Sequence, residues 1–344
     1  MQAVLIGLGM VADTHLAAIK DAEGVSLLGV MGRSLEKAQA FAQKASTLLG
    51  YQVRTFETAT QIKGSKRVDF AIVATPPDAR LDIVRALAAV RIPILMEKPL
   101  ERNFAAAREI AEICQRAGKP CGVVFQNRTR KAVLALKKSI DKGLFGDVVM
   151  AEIKVPWWRD QGYYDEPGRG TYARDGGGVL INQAIHTLDL ALWILGPWKN
   201  VQAQLHTTKL HQMEAEDWAG AVFQTQNGAM GTLVATTAFY PGASESIAIV
   251  GTEGSAHLEA GVLTIKMNDG RTEIVGAPSA SGGGVDPMAF THAWHQNVIE
   301  DFCSSLASGK APLASVRSAL AAHAVIDAME KSHKTGQRVE VTQE

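Results

Sequence analysis

MQAVLIGLGMVA, residues 1–12, decides the reading of the N-terminal half. Residues 3–6 are an apolar run broken by Gly7-Leu8-Gly9, and a helix-like stretch over 10–20 follows at once. In a strand-turn-helix of this kind the first glycine permits the tight turn and the second lets backbone amides approach a pyrophosphate. Ala12 then permits close helix–strand packing, and the helix start adds partial positive charge. Gly7, Gly9, Met10 and Val11 are therefore the expected phosphate-binding residues.

Outward from this turn the chain alternates: strand 25–31, helix 35–45, strand 69–74, helix 79–89, strand 93–96, helix 104–117 and strand 121–125. Continuously apolar strands are covered on both faces, so this half reads as a doubly wound parallel sheet, a Rossmann domain over residues 1–122. An NAD-preferring domain usually places an acid at the end of its second strand, to bind the adenosine ribose. Here that strand ends in Gly32-Arg33-Ser34. Arg33 can pair with a 2′-phosphate and Ser34 can donate to it, which favours NADP over NAD. Ala74, Thr75, Pro76 and Pro77 form the expected crevice edge, and Glu97-Lys98-Pro99 ends a further strand where a nicotinamide would lie.

After Gln126 the pattern changes. Helix 131–142 and strand 148–155 lead into an aromatic, glycine-rich loop over 157–178, and an apolar helix follows over 179–195. Alternating strands at 201–207, 219–224, 229–238, 246–251, 255–259 and 262–267 are separated by turn signals, which predicts an antiparallel meander. A flexible loop is expected over 277–284, then helices over 289–307 and 315–333. The fold class is α/β: the Rossmann domain, then an α+β domain over 123–344 on an open, predominantly antiparallel sheet, the expected substrate domain.

Composition narrows the function classes. Lys plus Arg and Asp plus Glu both total 35, so no global charge draws the chain to nucleic acid or membrane, and a small molecule is the expected partner. Cys114, Cys121 and Cys303 show neither zinc spacing nor a paired disulfide framework, which suits a reducing cytoplasm. The N-terminus lacks a basic signal region, and no apolar run reaches the roughly 18 residues of a membrane span. A cytoplasmic protein with no leader is expected.

Two segments carry candidate chemistry. A partly desolvated Lys98 at a strand end can hydrogen-bond a substrate oxygen and stabilise charge developing there. On the helix 179–195, Asn182, His186 and Asp189 recur at i, i+4 and i+7, a polar stripe on an otherwise oily helix. It reads either as a satisfied core network or as a pocket wall. The adjacent glycines and aromatic loop favour the pocket, and His186 is the natural proton acceptor. Trp157, Trp158, Arg159, Tyr163, Tyr164, Arg169 and Tyr172 mix flat faces with donors, which suits sugar rings, although about half could simply pack. Asn127, Trp158, Arg159, Tyr164, Arg169, Asn182, Gln183 and His186 are the expected substrate-binding set; Lys98 and His186 are the catalytic pair. No Cys/His/carboxylate group has ligand spacing, so no metal is expected.

Taken together, Gly7 to Ala12, Ala74 to Pro77, Glu97-Lys98-Pro99 and the run from Gly176-Gly177-Gly178 through Asn182, Gln183, His186 and Asp189 resemble the glucose-fructose oxidoreductase, inositol dehydrogenase and MocA family. The resemblance implies a Rossmann domain plus a largely antiparallel domain, assembled as dimers or tetramers through the open sheet. It also implies nicotinamide-dependent hydride transfer at a sugar or cyclitol carbinol, with Lys98 and His186 at the reacting carbon. Many members carry Asp where Asn182 stands, and Arg80 replaces a common His. Trp157, Tyr163-Tyr164, Arg169-Gly170-Thr171, Asn182-Gln183 and Glu216-Asp217 look most like the nucleotide-sugar 3-dehydrogenase branch. The alternatives are a free hexose or inositol dehydrogenase, or a cofactor-binding sensor without turnover.

Overall fold

The computed structural model describes residues 1–65, 67–279, 283–284 and 290–343. The chain divides into two compact units: Met1–Glu101 with Ala105–Gln126 and Thr291–Ala319, and Arg102–Phe104 with Asn127–Phe290 and Leu320–Glu344.

In the first unit, β1 (Gln2–Ile6), β2 (Ser26–Met31), β3 (Arg54–Thr55), β4 (Phe70–Val73), β5 (Ile94–Met96) and β6 (Cys121–Val123) form a parallel sheet in the order β3-β2-β1-β4-β5-β6. The central strands are buried on both faces, which is why each reads as an unbroken apolar run. The helix Ala12–Asp21 turns Leu16 and Ile19 into this core, with His15 the polar member of the same buried face. Ser34 caps the helix Leu35–Leu49, its Oγ accepting from the Lys37 amide at 3.3 Å. Val298, Ile299 and Phe302 of the helix Ala293–Ser308 complete the core, so this late helix belongs to the first unit. The strand order reverses between β1 and β4. Gly7, Thr75 and Lys98 follow the carboxyl ends of β1, β4 and β5, around the point where open α/β sheets bind ligands.

The second unit carries β7 (Val148–Pro156), β8 (Trp198–His206), β9 (Trp218–Thr225), β10 (Met230–Thr236), β11 (Ser246–Gly251), β12 (Gly254–Glu259), β13 (Val262–Met267), β14 (Thr272–Gly276) and β15 (Val339–Glu340), ordered β14-β13-β12-β11-β7-β10-β9-β8-β15. One face packs on the helices Lys131–Asp141 and Ile185–Leu195. The other presents Met150, Val222, Met230 and Val234 to the surface.

Two expectations are corrected here. The strands do not form one continuous meander: β7 lies between β10 and β11, parallel to β10 and antiparallel to β11. It supplies hydrogen-bonding edges to both, leaving a β8-β9-β10 meander on one side and a β11-to-β14 meander on the other. Nor is 179–195 a uniform helix, because Leu180–Ala184 is a π-turn leading into Ile185–Leu195. Local competition explains the π-turn: the Glu216 carboxylate accepts the Gly178 and Leu180 amides, while Asn182 Nδ2 donates to the Gly177 and Gly178 carbonyls. The expected loop 277–284 is described only at 277–279 and 283–284, and Ala289, the expected start of the penultimate helix, lies outside the described residues. Among the described residues no helix is long and apolar enough to cross a membrane.

Candidate active site

Gly7 has φ +97°, and a Cβ there would lie 2.6 Å from the Ala74 carbonyl carbon and the Thr75 nitrogen. Only glycine lets the exit of β1 sit against the exit of β4. At Gly9 the opposite holds: a Cβ would meet no atom within 4 Å, so open space lies ahead of the helix Ala12–Asp21. Met10 is 51% exposed beside that space, and Val11 is half-buried. Ala74 and Pro77 are buried, Pro76 is exposed, and Thr75 Oγ1 is buried with no hydrogen-bond partner among the described residues. An open space at a helix start and an orphaned hydroxyl at the neighbouring strand end fit a dinucleotide. Gly32 is half-buried, while Arg33 and Ser34 are exposed. Ser34 spends an acceptor on its helix cap and keeps its O–H to donate.

Lys98 is half-buried at the end of β5, joined to Pro99 by a cis peptide bond. The side chain of Glu97, expected at the cofactor, is instead turned inward: Oε1 lies 2.8 Å from His15 Nε2 and 3.7 Å from His295 Nε2. Burial alone would push Glu97 up, but the hydrogen bond with His15 and the nearby His295 imidazole outweigh it and hold the carboxyl well below the usual range. Arg80, buried behind the same turn, donates to the carbonyls of Glu97 (2.5 Å), Pro99 and Thr75. Burial brings its pKa down to about 10 against the pull of Glu97, Glu101 and Asp78, so it stays cationic.

The three ligand-type atoms of His15, Glu97 and His295 all lie within 4.8 Å of one another. The 2.8 Å contact has the length of an N–H···carboxylate bond, whereas an ion between the two groups would hold them farther apart. The cluster therefore reads as a His15–Glu97 hydrogen bond with His295 close beside it. Spacing could not reveal it, since its members lie on three distant segments. The available signal was His15, a polar residue on the apolar face of its helix.

In the second unit, Asp189 leaves the expected polar stripe for an ion pair. Arg128 Nε and Nη2 donate to its two carboxylate oxygens at 2.8 and 2.7 Å. His186 is buried in the first turn of Ile185–Leu195, and Asn127 is buried just before the helix Lys131–Asp141. Gln183 Nε2 and Arg169 Nη1 both reach Tyr163 Oη, at 3.3 and 3.4 Å, and Arg169 also covers that ring with its Cζ 4.7 Å from the centroid. Gln183 Oε1 is buried without a hydrogen-bond partner among the described residues.

Tyr164 Oη bonds Thr237 Oγ1 at 2.6 Å, and its ring centroid lies 4.8 Å from that of His211. His211, which sequence reading passed over, is held by Asp217 Oδ2 at 2.8 Å and by the Arg159 carbonyl at 2.9 Å, so both ring nitrogens are committed. It also neighbours the Trp158 ring. Arg159 is buried and donates to the carbonyls of Trp158 and Gly284. The structure thus gathers Trp158, Arg159, Tyr163, Tyr164, Arg169, Gln183 and His211 in one cluster, in which the Tyr163 ring lies 5.0 Å edge-on from that of Tyr164 and 5.6 Å from the Arg159 guanidinium. Trp157 bonds Glu245 in the interior at 3.3 Å, a packing role. Glu216 is pushed up to about 7 by burial, against the opposing amides of Leu180 and Gly178.

A six-stranded parallel sheet in this order, with a glycine turn and an open helix start at its reversal point, defines a dinucleotide-binding fold. Residues 1–125 match the model of an oxidoreductase family with an NAD-binding Rossmann fold, and residues 133–257 match the GFO/IDH/MocA C-terminal domain. These matches together span more than half of the chain, which belongs to the GFO/IDH/MocA family of oxidoreductases.

The chain is 23% identical to D-apiose dehydrogenase of Paraburkholderia graminis over 347 residues, covering 98% of this chain and 88% of that protein. It is 24% identical to scyllo-inositol 2-dehydrogenase (NAD(+)) of Bacillus subtilis, covering 91% and 88%. The WlbA dehydrogenase of Bordetella pertussis, solved with NADH and UDP-GlcNAcA, superposes with TM-score 0.82 at 26% identity, covering 100% of this chain and 99% of its own.

Proposed function

We propose that this enzyme transfers a hydride between nicotinamide and a secondary carbinol carbon of a sugar, free or nucleotide-linked. The observation that carries the proposal is the placement of Lys98 at the carboxyl end of β5, on the same edge as the Gly7 turn and the orphaned Thr75 hydroxyl. A bound nicotinamide supplies the two-electron hydride acceptor. Lys98 donates a hydrogen bond to the substrate oxygen, and His186 takes the hydroxyl proton. Gly7, Gly9, Met10 and Val11 hold the pyrophosphate; Gly32, Arg33 and Ser34 hold the adenosine side; Ala74 to Pro77 line the edge.

Gln183 Oε1, a buried acceptor lacking a partner, supports a polyhydroxylated ligand in the second unit, and Tyr163 and Arg169 beside it offer the flat face and the cation that a sugar or sugar acid would use. Asn127, Trp158, Arg159, Tyr164 and Asn182 complete the proposed substrate set. Arg33, exposed where NAD-preferring chains carry an acid, supports NADP over NAD. We assign residues 1–122, completed by the late segment Thr291–Ala319 that packs in the same unit, to the cofactor, and the remainder of 123–344 to substrate and oligomerisation. The apolar side chains on the exposed face of the large sheet support a homodimer or homotetramer, and free thiols at all three cysteines support a cytoplasmic location.

Screening UDP-sugars, free hexoses and inositols with NADP and NAD by nicotinamide absorbance tests the proposal. Turnover of a sugar is the expected result, and the preferred class separates nucleotide-linked from free substrates. Tight cofactor binding with no turnover of any polyol would favour a sensor.

A further inference from the structure

Arg80 opens the helix Arg80–Ala89, and its side chain is buried outright. The guanidinium grips main chain. Nη1 donates to the carbonyls of Glu97 at 2.5 Å, of Pro99, and of Leu100 at 3.5 Å, while Nη2 donates to the carbonyl of Thr75. The carbonyls on either side of Lys98 are therefore held by one nitrogen, and a second nitrogen of the same planar group holds the exit of β4. The Lys98 amide is fixed as well, by Glu97 Oε2 at 3.2 Å. All of these residues lie in the first unit.

Thr75 joins this clamp to the cofactor edge. A Cβ on Gly7 would lie 2.6 Å from the Thr75 nitrogen, so the glycine turn rests on the segment that Arg80 holds. One guanidinium thus links the turn carrying Lys98 to the strand exit beneath the phosphate turn.

Stability alone does not call for a cation here. Burial opposes the charge, Glu97, Glu101 and Asp78 offset that only in part, and the buried Nε has no hydrogen-bond partner among the described residues. Apolar side chains of similar volume often serve a buried site as well as ionic ones or better. What they cannot do is hold four carbonyls from two turns at once.

We propose that Arg80 is a positioning residue for Lys98: its two Nη atoms tie the β5 exit to the β4 exit and so set where the base of the lysine stands relative to the cofactor edge. This rests on the reading of Lys98 as the donor to the substrate oxygen. Displacing a reacting group by about 1 Å can cost on the order of a hundredfold in rate, which makes a clamp of this kind visible in kcat.

The test is a double-mutant cycle on the full chain, reading kcat per folded molecule with whichever of UDP-glucose, glucose or myo-inositol reduces NADP or NAD fastest. Arg80→Lys keeps the charge and loses the fork; it should lower kcat about tenfold, and Arg80→Met about a hundredfold. In a Lys98→Met background neither should lower kcat further by more than about twofold, because the group being positioned is gone. A purely structural role would instead lower Tm and the folded fraction and leave kcat per folded molecule unchanged.

Wild-type kcat per folded molecule in both Arg80 variants overturns the proposal, and so do losses that multiply with that of Lys98→Met. Cofactor binding weakened tenfold with kcat unchanged would assign Arg80 to the cofactor edge and also overturns it. Should Arg80→Met not fold, Arg80→Lys and Arg80→His, neither of which carries the fork, decide by the same cycle. Wild-type turnover of Lys98→Met removes the catalytic reading of Lys98 and the proposal with it, whereas multiplying losses leave that reading standing. Where none of the three compounds is turned over, hydrogen exchange over residues 97–101 with NADP bound decides: Arg80→Lys should speed it at least about tenfold, and unmoved exchange overturns the proposal.

Discussion

Asp189→Asn separates a structural from a chemical role for the buried carboxylate on the oily helix Ile185–Leu195. Asp189 and Arg128 have side chains 1% and 3% exposed, and two hydrogen bonds of 2.7 and 2.8 Å join them. The guanidinium also lies over the Trp193 ring, 5.1 Å from its centroid. Removing the carboxylate charge strands a buried cation, and losses of about 3–5 kcal/mol are usual for such a break. An asparagine oxygen still accepts one N–H, which places the expectation near the lower end, about 3 kcal/mol. At about 2–4 °C per kcal/mol for a unit of this size, Tm should fall by roughly 6–12 °C. The double variant Arg128→Met/Asp189→Leu, which removes both charges, should recover most of that loss. Calorimetry and kcat per folded molecule are the assays. A Tm within about 2 °C of wild type, or an intact Tm with kcat reduced a hundredfold, would refute this role.

Gly9→Ala adds a methyl into open space, so Tm should hold while cofactor affinity falls at least tenfold by fluorescence titration; an unchanged affinity would remove the phosphate role. Gly7→Ala should instead lower stability by about 1–3 kcal/mol or more, because φ +97° and the contact with Ala74 are both unfavourable to a Cβ. Arg33→Ala should weaken NADP more than NAD, and equal losses for both in a binding titration would count against the 2′-phosphate contact.

Glu216 has a folded pKa of about 7 against an ordinary 4.5, so the folded state binds the extra proton between these values. Stability should therefore decline as pH rises from about 4.5 to 7 and then level off, by about 3 kcal/mol from this group. Urea unfolding at pH 5 and pH 8 should show that loss in wild type and not in Glu216→Gln; identical losses would disprove it.

The first unit was legible because local signals agreed there. An apolar strand, a glycine turn and an amphipathic helix recur in register, and the helix Phe104–Ala117 falls on the residues expected for it. β3 escaped notice because two residues, Arg54 and Thr55, make no apolar run. The place of β7 was invisible for another reason: strand period reports which face is buried, not which strand lies alongside. The π-turn at Leu180–Ala184 depends on Glu216, a residue distant in sequence whose carboxylate no helical pattern can announce. Asp189 looked like part of a pocket wall because its partner, Arg128, is 61 residues away. Lys98 could be singled out from its strand-end position, whereas the cluster behind it needed the fold to bring His15 and His295 to Glu97.

The central claim is that Lys98 and His186 carry the chemistry. Comparing kcat of Lys98→Ala and His186→Ala with wild type on the sugar found by screening, alongside cofactor Kd, tests it most directly. The account predicts losses of at least about a hundredfold in kcat for each variant, with Kd changed by less than a few fold. Wild-type kcat in both variants would contradict it.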